Sequence, residues 1–146
     1  MKYKNLSQGQ TLLELIISIG VVVFVMLGLV VAVTSSLRFG QSSRSRSRAV
    51  KYAQEAVEIT RQLRDVNTWD TFFAYTGAST KTWCLNKDGA WHVDGSPSCD
   101  ILDGIFSRLV TLTWQDPIVH VQVNVSWQEG DHVSHSTLET YLTEWK

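Results

Sequence analysis

Between Leu15 and Val33 the chain carries no charged residue. Nineteen uncharged residues make a helix of roughly 28 Å at about 1.5 Å per residue, close to the thickness of a bilayer's hydrocarbon core, so the stretch is a membrane-spanning candidate. The chain also lacks an excess of either charge: 13 basic residues against 14 acidic ones leave a formal net charge of -1. No global field therefore draws it to nucleic acid or to an anionic surface, and every charge argument must be local. Two further absences matter. The apolar run is longer than the roughly 7–15 residues of a secretory signal and leads into "TSSLRFGQSS" with no A-x-A cleavage site, so it is expected to stay on the mature protein. There is also no Ser/His/Asp signature, glycine-rich phosphate loop or pocket-like carboxylate pair, so no catalytic residue is assigned and the chain is not expected to be an enzyme.

Set apart from that run, roughly 110 residues remain for a water-soluble part, enough for one modest core. In "RAVKYAQEAVEITRQLRD" small or apolar residues fall at Ala49, Tyr52, Ala53, Ala56, Ile59, Thr60 and Leu63, the steps of three and four of an amphipathic helix. Lys51 and Glu55 on its polar side are an i,i+4 pair of opposite charge, a contact of a few tenths of a kcal/mol. One helix is expected from about Thr11 to Asp65, loosened at Gly20, Gly28 and Gly40. Residues 66–104 are punctuated by Asn67, Gly77, Gly89, Gly95, Pro97 and Gly104 and read as a loop region with two short strands in "KTWCL" and "AWHV". In "IVHVQVNVSW" Val119, Val121, Val123, Val125 and Trp127 share one face and His120, Gln122, Asn124 and Ser126 the other, the period of a half-buried antiparallel strand. "FSRLVTLTW" and "HVSHSTLETYLTEW" read as its neighbours across turn-type residues. The expected fold is α+β: a long N-terminal helix, transmembrane then amphipathic, packed on a three- to four-stranded antiparallel sheet.

Other residues that invite a function have plainer readings. In "SSRSRSRAVK" Arg44 and Arg48 share a helix face and Arg46 points nearly opposite, which suits a solvated, charge-ringed helix. Stacking aromatics are not interleaved with these arginines, and no nucleic-acid partner is indicated. His132 and His135 would share a face on a helix but lie on opposite faces of a strand, so no metal site is assigned. Of the six tryptophans, Trp114 and Trp127 fit core faces of strands, and Trp91 in its Gly-flanked loop is a candidate surface contact.

The N-terminus resembles the class III signal of type IV pilins and pseudopilins: a short basic leader ending in Gly, a cleavage point, then a helix with Glu as its fifth residue. Here the leader is "MKYKNLSQG", the mature chain begins at Gln10, and Glu14 is fifth. "IFSRLVTLTW…VHVQVNVSWQEGDHVSHSTLETYLTEW" is similar to the minor-pilin group that includes I-type pseudopilins, with its Arg-containing strand, its strand ending in "VSW" and its closing "TYL". Gln10 stands where Phe is commonest, which suits a minor subunit, both cysteines lie between helix and sheet, and no Cys-bracketed C-terminal loop exists. The resemblance implies cleavage between Gly9 and Gln10, methylation of the Gln10 amine, and a register-setting role for Glu14 in assembly. The implied partners are other pilin or pseudopilin subunits, a prepilin peptidase that also methylates, an inner-membrane assembly platform and membrane lipid. No cofactor of the chain itself is implied.

The expected division is thus a leader at 1–9, a transmembrane and assembly half-helix at 10–33, an amphipathic half at 34–65, a loop region at 66–104 and an antiparallel sheet at 105–146. Cys84 and Cys99, the only cysteines, are most simply a disulfide in an exported, turn-rich segment, free buried thiols being the other reading. Basic residues after the span outnumber those before it, which alone would put the C-terminal part inside. The disulfide and the Trp-rich sheet argue for a single pass through a bacterial inner membrane with that part outside, followed by incorporation into a periplasmic or extracellular filament. The rival expectation is a single-pass anchor displaying a β-rich binding module that never enters a filament.

Overall fold

The computed structural model describes residues 7–96, 99 and 101–144, with the side chains of residues 7–10 outside that description. Residues 1–6 of the expected leader, Pro97, Asp100 and Trp145 lie outside the described residues. One helix, α1, runs from Ser7 to Val66, and the chain divides into two units with the boundary after Ser42.

In the first unit, every large apolar side chain from Leu12 to Phe39 is exposed, from 50% at Val23 to 79% at Phe24. Such a stripe-free helix, apolar on all sides, is the pattern of a segment whose surroundings are themselves apolar. Gly20, Gly28 and Gly40 interrupt neither its hydrogen bonding nor its course as helix.

In the second unit the burial of α1 begins at Ala49 and recurs at Ala53, Ala56, Val57 and Thr60, all 5% exposed or less. Ala49, Ala53, Ala56 and Thr60 recur in steps of three and four, with Val57 beside them, and form the helix face buried in the core. Thr60 Oγ1 returns its hydroxyl to Ala56 O at 2.7 Å, so this buried polar group is satisfied within the helix. At the C-terminus Asn67 Nδ2 donates to Leu63 O at 2.7 Å, covering one of the carbonyls a helix end leaves open. A short helix α2, Trp69–Ala74, follows; its N-cap Thr68 accepts from Thr71 N at 3.4 Å.

The sheet has five antiparallel strands, β1 Thr80–Leu85, β2 Trp91–Val93, β3 Phe106–Gln115, β4 Ile118–Glu129 and β5 His132–Thr143, in the order β2-β1-β3-β4-β5. Three or four strands were expected; residues 66–104 add α2 and the β1–β2 hairpin to the sheet beyond its three long C-terminal strands. The β3–β4 hairpin turns at Asp116–Pro117, with a cis peptide bond there. β4 and β5 join through Gly130–Asp131, where Gly130 has φ 61°, the conformation that two-residue hairpins demand of their first turn position.

The core lies between α1 and one sheet face. Phe106, Val110 and Leu112 of β3, Val119, Val121, Val123, Val125 and Trp127 of β4, and Leu142 of β5 are all buried. Arg108, in phase with Phe106 and Val110, enters the same core and is 2% exposed. Its Nε donates to Leu85 O at 3.1 Å, and its two terminal nitrogens donate to Asn86 O at 2.7 Å and Tyr52 O at 3.3 Å. Glu55 Oε2 lies 3.3 Å from Nη1. Glu55 therefore pairs with β3, in place of the local pair with Lys51 expected from spacing. Burial pushes the guanidinium below its ordinary pKa, and the Glu55 carboxylate opposes that shift. Replacement by Met should keep the volume but remove three charge-assisted bonds at once, lowering stability by about 3 kcal/mol and Tm by more than about 10 °C for a domain of this size. A thermal melt of Arg108→Met against wild type checks this; a change below about 2 °C would show that packing alone holds the helix on the sheet.

Candidate functional site

Two regions carry the residues singled out by sequence. The first is the start of α1. Gly9 and Gln10 are described as helix backbone, and Glu14 lies one turn beyond Gln10 on the exposed helix. Ser18 Oγ donates to Glu14 O at 2.7 Å and Thr34 Oγ1 reaches Val30 O at 2.9 Å. Both hydroxyls thus turn inward to the helix backbone, leaving its surface apolar. Among the described residues, no cation forms an ion pair with the Glu14 carboxylate. Glu14 is followed by the uncharged stretch Leu15–Val33 of the helix.

The second region is the connection between sheet and loops. Cys84 and Cys99 form a disulfide with Cα atoms 5.8 Å apart. Cys84 belongs to strand β1, not to a loop, and alternates with the half-buried Trp83 and the core residue Leu85, so the bridge fastens Cys99 to the sheet face opposite α1. On the helix side, Tyr52 Oη donates to Asp103 Oδ2, and Lys87 Nζ stands 3.9 Å from Asp103 Oδ1. That hydrogen bond first, and burial second, push the Tyr52 phenol above its ordinary pKa. Asp103 has φ 47°, a left-handed conformation that Asp tolerates better than most residues. Asp103 is thereby held to α1, while the disulfide holds Cys99 to β1.

The histidines do not come together. His132 and His135 are exposed on opposite faces of β5. His120 stacks on Tyr141 with ring centroids 4.8 Å apart and has Nε2 3.3 Å from Glu139 Oε2. Gln122 Nε2 donates to the other oxygen at 2.7 Å. The Gln122 bond first and His120 second hold the Glu139 carboxyl below the usual carboxylate range. That small surface contribution is present above the ordinary carboxylate pKa and is lost as pH falls through the depressed value. Among the described residues, no group of three His, Cys, Asp or Glu side chains gathers to hold a metal. Arg44, Arg46 and Arg48 are all exposed.

Sequence reasoning missed Arg108. Its signal was present in β3, where alternation puts an Arg in step with Phe106, Val110 and Leu112. It also missed that Tyr75, Trp83 and Trp91 pack together; nothing in their spacing announces that contact. Comparison with protein-family models, curated proteins and solved structures found no match.

The disulfide generates a direct expectation. Alkylation of the unreduced chain should leave its mass unchanged, reduction should expose two thiols, and reduction should lower stability by about 3 kcal/mol, the chain-entropy value for a loop of this length. Two alkylated thiols in the unreduced protein would contradict it, and with it an oxidising location for the sheet.

Proposed function

We propose that the chain is a structural subunit of a bacterial filament, a minor pilin or pseudopilin. On this reading it is made as a precursor in the inner membrane, cut between Gly9 and Gln10, methylated at the new amine and assembled through the apolar half of α1. The observation that carries the reading is Glu14, a carboxylate without an ion pair among the described residues, in a helix segment that is apolar and exposed all round. A charge at mid-bilayer costs roughly 2.5–3.5 kcal/mol on insertion scales, less towards a helix end. A residue retained against that cost needs a partner.

Cleavage would supply one. Removing residues 1–9 frees an ammonium on Gln10, about one helical turn from Glu14 and at the positive end of the helix dipole. Within one molecule the two charges could meet. In a bundle of staggered helices, Glu14 would be surrounded by neighbours' Leu, Ile and Val side chains, where an unpaired carboxylate is strongly disfavoured. The amine of an adjacent subunit then satisfies it and fixes the axial register between helices. The peptidase, the assembly platform and lipid are the remaining partners of this reading. The membrane-following unit, with its Cys84–Cys99 bridge, lies on the extracytoplasmic side, where disulfides persist.

An anchored β-rich module would use the same helix without needing Glu14. In Glu14→Ala the loss of a charge-assisted pair, worth about 1.5–3 kcal/mol, should cut incorporation into filaments by about tenfold or more while leaving membrane insertion and cleavage intact. Comparing wild type and variant in sheared-filament and membrane fractions checks this. Equal incorporation would mean that Glu14 is only a carboxylate near a helix end.

A further inference from the structure

Beside the end of α2, Tyr75 meets the two tryptophans of the β1–β2 hairpin. Ring centroids are 5.5 Å apart for Tyr75–Trp83, 5.9 Å for Tyr75–Trp91 and 6.4 Å for Trp83–Trp91, at angles from tilted to edge-on. With Ala74 and Lys81 these rings line an open groove of about 270 Å³, near the lower end of the volumes typical of binding clefts. The local chain holds the lining in place. Trp83 Nε1 donates to Tyr75 O at 2.9 Å, which orients that indole. The pairings Trp83↔Val93 and Leu85↔Trp91 put both tryptophans on one sheet face. Gly77, at φ 62°, turns the chain between Tyr75 and β1, and the Lys81 stem packs against it. The Lys81 ammonium then rests 4.3 Å above the Trp83 ring.

The chemistry of this lining is one-sided. Among the described residues, Trp91 Nε1 and Tyr75 Oη have no hydrogen-bond partner, and both side chains are only half-buried. Lys81 adds three N–H donors and the only charge of the lining. The phenol oxygen apart, no lining side chain accepts a hydrogen bond. Sugar hydroxyls donate as much as they accept and would find little to receive their protons. A nucleic acid needs several cations along its phosphates, and one lysine is too few. A polyproline II segment presents what is missing: proline has no N–H, the helix makes no internal hydrogen bonds, and its carbonyls and flat apolar rings face outward.

We propose that the Tyr75–Trp83–Trp91 groove binds a proline-rich, extended segment of a partner protein, with an acidic residue of that segment on Lys81. Such segments dock on aromatic-lined grooves because they are ordered before binding and lose little entropy. The two prolines of the sequence, Pro97 and Pro117, are isolated and form no such segment. The assignment goes beyond the filament role and holds for a membrane-anchored module equally well.

The test is a calorimetric titration of the full chain in detergent micelles with an oligoproline peptide flanked by aspartates. Comparison ligands are a Gly–Ser peptide with the same flanks, oligoproline without aspartates, a neutral oligosaccharide and a short oligothymidylate. Saturable binding of the flanked oligoproline alone, or best, is expected. Trp91→Phe, which keeps a ring and removes the N–H, should weaken it by about threefold or more. Trp91→Ala should weaken it more than about tenfold. Lys81→Gln should erase the preference for the aspartate flanks. Should Trp91→Ala fail to fold, Trp91→Phe and Lys81→Gln still decide. No saturation by oligoproline, equal binding of the Gly–Ser peptide, tighter binding of the sugar or the oligonucleotide, or indifference to both conservative variants would each overturn the assignment.

Discussion

A guanidinium shut away from water organises the sheet-bearing unit. Arg108 reaches carbonyls from helix α1 and from the end of β1 and the turn after it, while Glu55 balances its charge from the helix side. A guanidinium is planar and its donors point in fixed directions, so three carbonyls must converge on one plane for all of them to be met. An apolar side chain of similar volume would fill the same space without specifying which backbone groups meet there. The register of α1 against β3, and the position of the β1–β2 hairpin, follow from that convergence. The Tyr52–Asp103 hydrogen bond then ties Asp103 to α1, and the Cys84–Cys99 bridge ties Cys99 to β1.

What could be read from residue order was whatever repeats along one element. Strand β4 was legible because one face is buried along its whole length, and every second residue from Val119 to Trp127 answers to that face. The packing face of α1 was legible for the same reason, through Ala49, Ala53, Ala56 and Thr60. The rest depends on neighbours distant in sequence. β2 has only three residues and α2 only six, too few for a period to show, and their conformations are set by β1 and Trp114, on which they pack. Glu55 had a good local partner in Lys51, and the buried charge of Arg108 outcompeted it because a desolvated cation gains more from a carboxylate than an exposed one does.

The two units face opposite physical demands. In the first, exposed Leu, Ile, Val and Phe side chains surround a single carboxylate, and such a surface is stable only in lipid or against similar helices. In the second, α1 turns amphipathic from Ala49, after the polar stretch Gln41–Arg48, and the sheet takes up its buried face. That change within one unbroken helix is what a subunit needs if its first half packs with other subunits and its second half carries a folded domain outside the membrane. Glu14 is the residue on which the filament reading turns, because its charge is out of place in lipid and well placed beside a freed amine.

The measurement that tests this account most directly is the mass of the chain's N-terminal peptide, taken from the membrane of cells that make it. The account predicts a chain that begins at Gln10 with a methylated amine and, for a variant with a bulky residue at Gly9, uncut precursor. A wild-type chain that still begins at Met1 would contradict it.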